Sequence, residues 1–427
     1  MSDAYWFSPA PSEVMCSRLS LDFNLRAADL FFREMIVPEL GRIWFVRQLS
    51  WPLAALALHM EMGNGPRPTA ICHGIEALAC KLEFWANPNS PSPRVLGRRA
   101  FGRDAEQDVW SFHQLRQPAH YVRNTHRQAA TRAIRADGGL GFARGSRFDL
   151  LELEPVGRKI AENFLEQRVG QGRMSLRKWL RGWLEDHQGV PSHPKALLQA
   201  LSPERATVAE RELVYSRLVG RSTPAGEKRK RLAHALGRAE NLKSIGGDGG
   251  VVDCLRKAGH SEQANEIVVA RAFGTMLDRA RDTVAILTHA VELGRGGVKL
   301  ANLARDSALK KSIKDLRTTS KNYVGKVNEL NAVAIKGVAT SRDFSNAVVA
   351  GEDMEAIRIL VERCGKLLGL ADGVVTRGPL FRVVDATDEG SALEDGVASI
   401  EPDGTGRTFR IANFHSLLRD AERRGAL

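Results

Sequence analysis

No two cysteines stand at metal-binding or redox spacing: Cys16, Cys72, Cys80, Cys254 and Cys364 form an odd set with no CxxC pair. A disulfide framework and a zinc module are thereby excluded, and a reducing, cytoplasmic compartment is expected. Long apolar runs are missing too. The most hydrophobic stretch, Leu40 to His59, is broken by Arg42, Arg47 and Pro52, whereas a membrane span takes about 20 apolar residues. It reads as buried core, and no membrane partner is expected. Met1 to Pro11 carries Asp3 and no basic cluster, unlike a secretory signal. Neither a repeat of solenoid period nor an extended low-complexity tract is present. The signatures GxxxxGK[ST], GxSxG, HExxH and those of protein kinases do not occur, which removes the commoner hydrolases and kinases from consideration. No cofactor is expected.

What the chain does have is positive charge. Lys and Arg number 62 against 50 Asp and Glu, a formal net charge of +12 in 427 residues. That balance favours polyanions: nucleic acid, an acidic protein surface or anionic lipid. A purely solubilising surface would have the same composition. Hydrophobic residues at 43% and charged residues at 26% are those of a folding chain, and the length calls for two or three domains.

The pattern is mainly α. Asn24 is placed to cap a helix through Val37, and Thr69 to Ala86 reads as another, followed by the turn-rich PNSPSP of Pro88 to Pro93. Trp6, Trp44 and Trp51 with Phe7, Phe31, Phe32 and Phe45 point to an aromatic core. The glycine cluster Gly246 to Gly250 reads as a linker and a domain boundary. Beyond it, Val269 to Val291 and Leu309 to Leu330 each repeat apolar residues at steps of three and four. Two such helices joined by the GRGG turn at 294–297 predict an antiparallel helical hairpin. GPLFRVVD (378–385) and GRTFRIA (406–412) read as short strands, and Asn413 to Arg424 as a closing helix. The expected fold is therefore mainly α and multi-domain. It has an aromatic-rich helical region over 1–93, a basic region over 94–245, a helical hairpin or bundle over 251–375 and a small α+β element over 376–427.

Chemistry concentrates in two basic segments. Residues 108–168 run helix (SFHQLRQ), turn at Pro118, helix (NTHRQAATRAIRAD), glycine-rich turn, strand (RFDLLELE) and a helix opened by Pro155. This order resembles a winged-helix domain, in which the second helix of a helix-turn-helix enters the major groove. The resemblance implies DNA contacts from His126, Arg127, Arg132 and Arg135 on the reading helix, and from Arg144 and Arg147 at the wing. Arginine suits such a role because its fork bonds a guanine edge or grips phosphate. The second segment is the ridge Lys310, Lys314, Arg317 and Lys321, which flanks the Leu309 to Leu330 stripe and could follow a phosphate backbone. Flanking lysines also serve simply to solvate a helix, and the same double reading applies to KRKR at Lys228 to Arg231.

Weaker constellations are Cys72, His73 and Cys80, which read as core, and an HxK at His193 and Lys195 whose following aspartate is replaced by Ala200. Asp385, Glu394, Glu401 and His415 are the residues from which a divergent nuclease could be assembled. GRIWFVRQLSWPLAALAL (41–58), the winged-helix-like centre and FRIANFHSLLRDAE (409–422) together resemble the layout of bacterial proteins of phage-defence gene islands. That resemblance implies an accessory subunit working beside an ATPase, helicase or nuclease encoded nearby. The expectation is a non-catalytic binder of duplex DNA. The alternatives are a scaffold that never touches nucleic acid and a metal-dependent nuclease.

Overall fold

A computed structural model describes residues 21, 23–102, 109–169, 174–185, 194–237, 239, 244, 246–294, 297–330, 335–364, 367–379, 381 and 410–423. In chain order the elements begin with α1 (Arg26–Ile36), α2 (Arg47–Met62), α3 (Pro68–Ala86), α4 (Arg98–Phe101), α5 (Phe112–Leu115) and α6 (His126–Ala133). Next come β1 (Ala143–Arg144), β2 (Glu152–Leu153), α7 (Pro155–Leu165), β3 (Arg168–Val169), β4 (Met174–Ser175) and α8 (Leu176–Glu185). Helices α9 (Pro194–Leu201), α10 (Val208–Gly220), α11 (Pro224–Leu236), α12 (Gly247–Lys257) and α13 (Ser261–Leu293) follow. The remainder is β5 (Val298–Lys299), α14 (Leu300–Leu303), α15 (Ser307–Val327), α16 (Lys336–Ala350), α17 (Asp353–Arg363), β6 (Leu368–Ala371), β7 (Val374–Arg377) and α18 (Ile411–Glu422). The chain is thus mainly α. Pro68, Pro155, Pro194 and Pro224 each open a helix, at the position where the missing N–H costs nothing. Among the described residues no helix is long and apolar enough to cross a membrane.

Two units divide the chain: a larger one of 30–271 and 393–427, and a smaller one of 1–29 and 272–392. The dividing point at 271/272 lies inside α13, not at the glycine cluster expected to be a linker. Gly247 to Gly250 instead form the first turn of α12, preceded by Gly246 at φ 81°. Burial of Val251, Val252 and Leu255 overrides the poor helix propensity of glycine. The acidic Asp248 in that first turn also suits the helix dipole.

The core of the larger unit is built around α2, buried on every face from Arg47 to Leu56, as expected of a helix apolar all round. It packs against α3, α6 and α7, so the turn at 88–93 separates no domains. Burying each of Phe45, Trp51 and Phe164 contributes roughly 1.5–3 kcal/mol. An ionic cluster completes this core. Arg47 donates to the carbonyls of Ala200 and Arg205, both at 2.6 Å, and lies 3.4 Å from Glu210. Glu210 closes a capping box with Thr207 at the start of α10. Asp420 of α18, fully buried, accepts the Val46 N–H at 2.8 Å and lies 3.3 Å from Arg94. Helix α18 therefore belongs to the larger unit, packed on α10, and is no part of a separate C-terminal element. Of the expected strand over 378–385, residues 380 and 382–385 lie outside the described residues and Gly378, Pro379 and Phe381 are not in a strand; of GRTFRIA the described Arg410 is in a turn and Ile411 and Ala412 are helical.

In the smaller unit α15 buries Leu309, Ile313, Leu316, Ser320, Tyr323 and Val327, the stripe its sequence repeat predicts. Asp306 caps it by accepting the Leu309 N–H at 2.8 Å. Phe273 meets Tyr323 with ring centroids 5.6 Å apart, and the Thr283 and Ser312 hydroxyls lie 2.8 Å apart. Those two contacts run in opposite chain directions, so α13 and α15 are antiparallel. The connection includes β5 and α14 as well as the glycine turn. On the other side, Tyr323 Oη lies 2.6 Å from Ser341 Oγ of α16, so the stripe is shared between two neighbours. A sheet in the order β5-β7-β6 completes the unit. Its β6–β7 hairpin turns at Asp372 (φ 51°) and Gly373 (φ 71°), the two left-handed residues that a type I′ turn requires.

Candidate nucleic-acid interface

Residues 108–168 place α5, α6, a β1–β2 hairpin and α7 in the predicted order, with shorter strands. Within RFDLLELE, Phe148 to Leu150 form a 3₁₀ turn, and only Glu152 and Leu153 pair, with Arg144 and Ala143. The N-terminal end of α6, which a groove-reading helix would present to base edges, is buried. His126 is 2% exposed and packed edge-on to Phe45 and Trp44, beside Trp51. Burial lowers its pKa to about 3, so it is a neutral core residue and leaves the set of contacts. Glu76 of α3, fully buried, accepts the Arg127 N–H at 2.6 Å. Its carboxyl thus sits where a phosphate would bind at the positive helix end. Burial pushes the pKa of Glu76 up to about 8.

The arginines nearby already have work. The Arg127 guanidinium lies 5.3 Å over the Phe148 ring. Arg132 faces Glu34 at 3.7 Å, Arg135 faces Asp137 at 3.6 Å, and Arg144 faces Glu152 at 2.9 Å and Glu154 at 3.9 Å. Arg147 is exposed and has no carboxylate partner among the described residues. The six predicted contacts therefore do not converge on one free face.

Helix α15 is different. Lys310, Lys314 and Lys321 are exposed and have no carboxylate within ion-pair distance among the described residues. They lie on one side of the helix, spanning about 16 Å at 1.5 Å per residue. Lys311, not singled out by the stripe argument, is exposed on the same turn as Lys310. Arg317, predicted as the fourth contact, lies on the same side of the helix, but its guanidinium is taken up by the fold. It pairs with Asp353 at 2.6 Å and donates to the carbonyls of Gly351 at 2.6 Å and Val348 at 3.2 Å. It is thereby a clamp on the α16–α17 turn.

A helix leading into a hairpin, the order expected at 108–168, occurs again at α17–β6–β7. The exposed side chains at that helix are Glu352, Met354, Arg358 and Glu362, a net negative set that repels phosphate.

The residues named for the alternative chemistry are described only in part. Cys72 and Cys80 are buried, their sulfurs 3.4 Å from Glu76 Oε1 and 3.3 Å from Tyr121 Oη. His415 is buried, bonded through Nε2 to the Ala239 carbonyl at 2.9 Å, and burial lowers its pKa. Asp385, Glu394, Glu401 and His193 lie outside the described residues. Neither a known protein family, nor a curated protein, nor a solved structure matches this chain, so its function has to be argued from its own residues.

Proposed function

We propose that this chain is a non-catalytic, cytoplasmic binder of duplex DNA, and that α15 supplies its main phosphate contacts. The observation that carries the reading is the row Lys310, Lys314 and Lys321, exposed and unpaired among the described residues, while Arg317 beside it is committed to the fold. Ammonium groups on flexible stems suit a backbone whose phosphates recur along the groove and carry no sequence information. Arg147 is the remaining free contact from the 108–168 segment. The role as an accessory subunit beside an ATPase, helicase or nuclease in phage defence rests on the resemblance in chain layout alone. The genes adjoining this one test it.

Fluorescence anisotropy with a duplex oligonucleotide across a salt series tests DNA binding itself. Each neutralised phosphate contributes about −0.9 to the slope of log K against log salt. Lys310→Ala/Lys314→Ala/Lys321→Ala should therefore flatten the slope by about 3 and weaken binding about tenfold or more at low salt. A variant that folds and binds like the parent protein removes α15 from the interface. If the parent protein has no salt-dependent affinity for DNA, the scaffold reading takes over.

A further inference from the structure

Helices α11 and α12 of the larger unit flank an open cavity of about 350 Å³, lined by Arg231, His234 and Ala235 on one side and Cys254, Leu255, Lys257 and Ala258 on the other. Two permanent cations and an imidazole face it, and no carboxylate is among its lining residues. Apart from the exposed Lys230, the other cations of the same helices and their neighbour are spoken for. Lys228 pairs with Glu266 at 2.6 Å, and Arg229 donates to the carbonyls of Pro38, Gly138 and Gly139 at 3.3, 3.0 and 3.2 Å. Arg256 donates to Asn265 at 3.3 Å, and Arg271 lies 3.9 Å from Asp248. Arg231 and Lys257 have no ion pair among the described residues. Of the KRKR run, only Arg231 lines the cavity.

Like charges gathered around a concave surface repel one another, and an anion between them removes that cost. A guanidinium fork, an ammonium and an imidazole together offer donors in several directions, the requirement of a tetrahedral phosphoryl group with two or three free oxygens. Ala235, Leu255 and Ala258 add an apolar wall. The volume exceeds that of a bare phosphate and falls at the lower end for small-molecule sites. We propose that this cavity binds the phosphoryl group of a nucleotide, either free or within a DNA strand. The site is separate from the α15 row and does not depend on it.

Cys254 makes the proposal measurable. It is exposed at the cavity, whereas Cys72, Cys80 and Cys364 are buried. Maleimide labelling of the full chain, followed at the Cys254 peptide by mass spectrometry, therefore reports occupancy directly. The probes are a 5′-mononucleotide, pyrophosphate and a duplex oligonucleotide. A ligand at ten times its Kd should slow labelling about tenfold by mass action. Arg231→Ala/Lys257→Ala should abolish this protection, and Lys230→Ala, exposed on α11 outside the cavity, should leave it intact. Protection by the mononucleotide or pyrophosphate identifies a free ligand, and protection by the duplex alone identifies a backbone phosphate. Absence of protection by all three probes, or protection that survives Arg231→Ala/Lys257→Ala, overturns the proposal. The Lys310→Ala/Lys314→Ala/Lys321→Ala protein should still show mononucleotide protection, which separates failure of this site from failure of the α15 reading.

Discussion

Residues 126–147 and helix α15 are both rich in basic side chains, yet the first stretch has largely consumed its charge and the second has not. The difference follows side-chain chemistry. A guanidinium has five donors in a rigid fork, whereas an ammonium is compact, strongly hydrated and carried on a mobile stem. In this protein arginine is drawn repeatedly to backbone carbonyls that would otherwise be orphaned at turns and helix ends. Arg47 serves Ala200 and Arg205, Arg221 serves Ala136 and Gly139, Arg229 serves Pro38, Gly138 and Gly139, and Arg317 serves Gly351 and Val348. Lys310, Lys314 and Lys321 do nothing of the kind. A net charge of +12 therefore overstates the charge available to a polyanion.

The sharpest way to break this comparison is to remove a cation of each kind and measure stability. Arg47→Ala leaves two carbonyls and the Glu210 carboxylate buried without their partner. Breaking a buried ion pair in this way costs about 3–5 kcal/mol. Lys314→Ala should stay within about 0.5 kcal/mol, as exposed substitutions do. Denaturant unfolding of the two variants should differ by several kcal/mol, and equal midpoints would show that Arg47 does not hold the core.

Helix ends extend the comparison, because α6 begins on buried Glu76 while α15 begins on the exposed cap Asp306. Burial raises the pKa of Glu76 from 4.5 to about 8, so between those values the folded state holds a proton that the unfolded chain has released. Its contribution to stability is full below about pH 4.5 and is lost as pH rises to about 8. His126 and His73 act oppositely. Burial lowers them from 6.5 to about 3 and about 4, so their contribution is full above 6.5 and is lost as pH falls. Glu76→Gln keeps an acceptor for the Arg127 N–H and cannot ionise. It should raise the melting temperature at pH 8, by on the order of 2 kcal/mol in stability, and leave pH 5 nearly unchanged. A parent protein whose stability climbs from pH 6.5 to 8 would show that Glu76 is ionised in the fold.

Local features were legible in the sequence. The stripe of α15, the core role of the Trp44 and Trp51 region, the opening of α7 at proline and the antiparallel pairing of α13 with α15 all follow from periodicity and turn chemistry within a short stretch. The Asp372–Gly373 hairpin signal was present as well, but it sits inside a region whose helical repeat dominates the pattern. What the sequence concealed depends on residues far apart along the chain. The GGDGG cluster becomes helix because Val251, Val252 and Leu255 find a core, and α18 returns to α10 because Asp420 meets Arg94 and the Val46 N–H. The same limit governs the candidate site. Nothing local distinguishes Arg317 from Lys314, since the carbonyls of Val348 and Gly351 that capture Arg317 lie more than thirty residues downstream.

The smallest expected effect is the most discriminating for function. Arg132, Arg135 and Arg144 make ion pairs in which at least one partner is largely exposed: the side-chain exposures are 59% and 31%, 29% and 85%, and 69% and 69% for the pairs with Glu34, Asp137 and Glu152. Pairs of this kind contribute about 0–1 kcal/mol each, because solvent screens them and two long side chains must be immobilised. Arg132→Ala/Arg135→Ala/Arg144→Ala should therefore fold, with a loss of at most about 3 kcal/mol for the three pairs together. Its DNA affinity should change by less than about threefold, and its salt slope should be unaltered, because a guanidinium already facing a carboxylate releases few counterions when DNA arrives. The decisive measurement sets this variant beside Lys310→Ala/Lys314→Ala/Lys321→Ala in one salt series. Each removes three positive charges, so any effect of net charge is the same for both. If the arginine variant loses the greater part of the slope, the 108–168 segment is the DNA-binding element and its ion pairs open on binding. If only the lysine variant loses it, the phosphate contacts lie on α15.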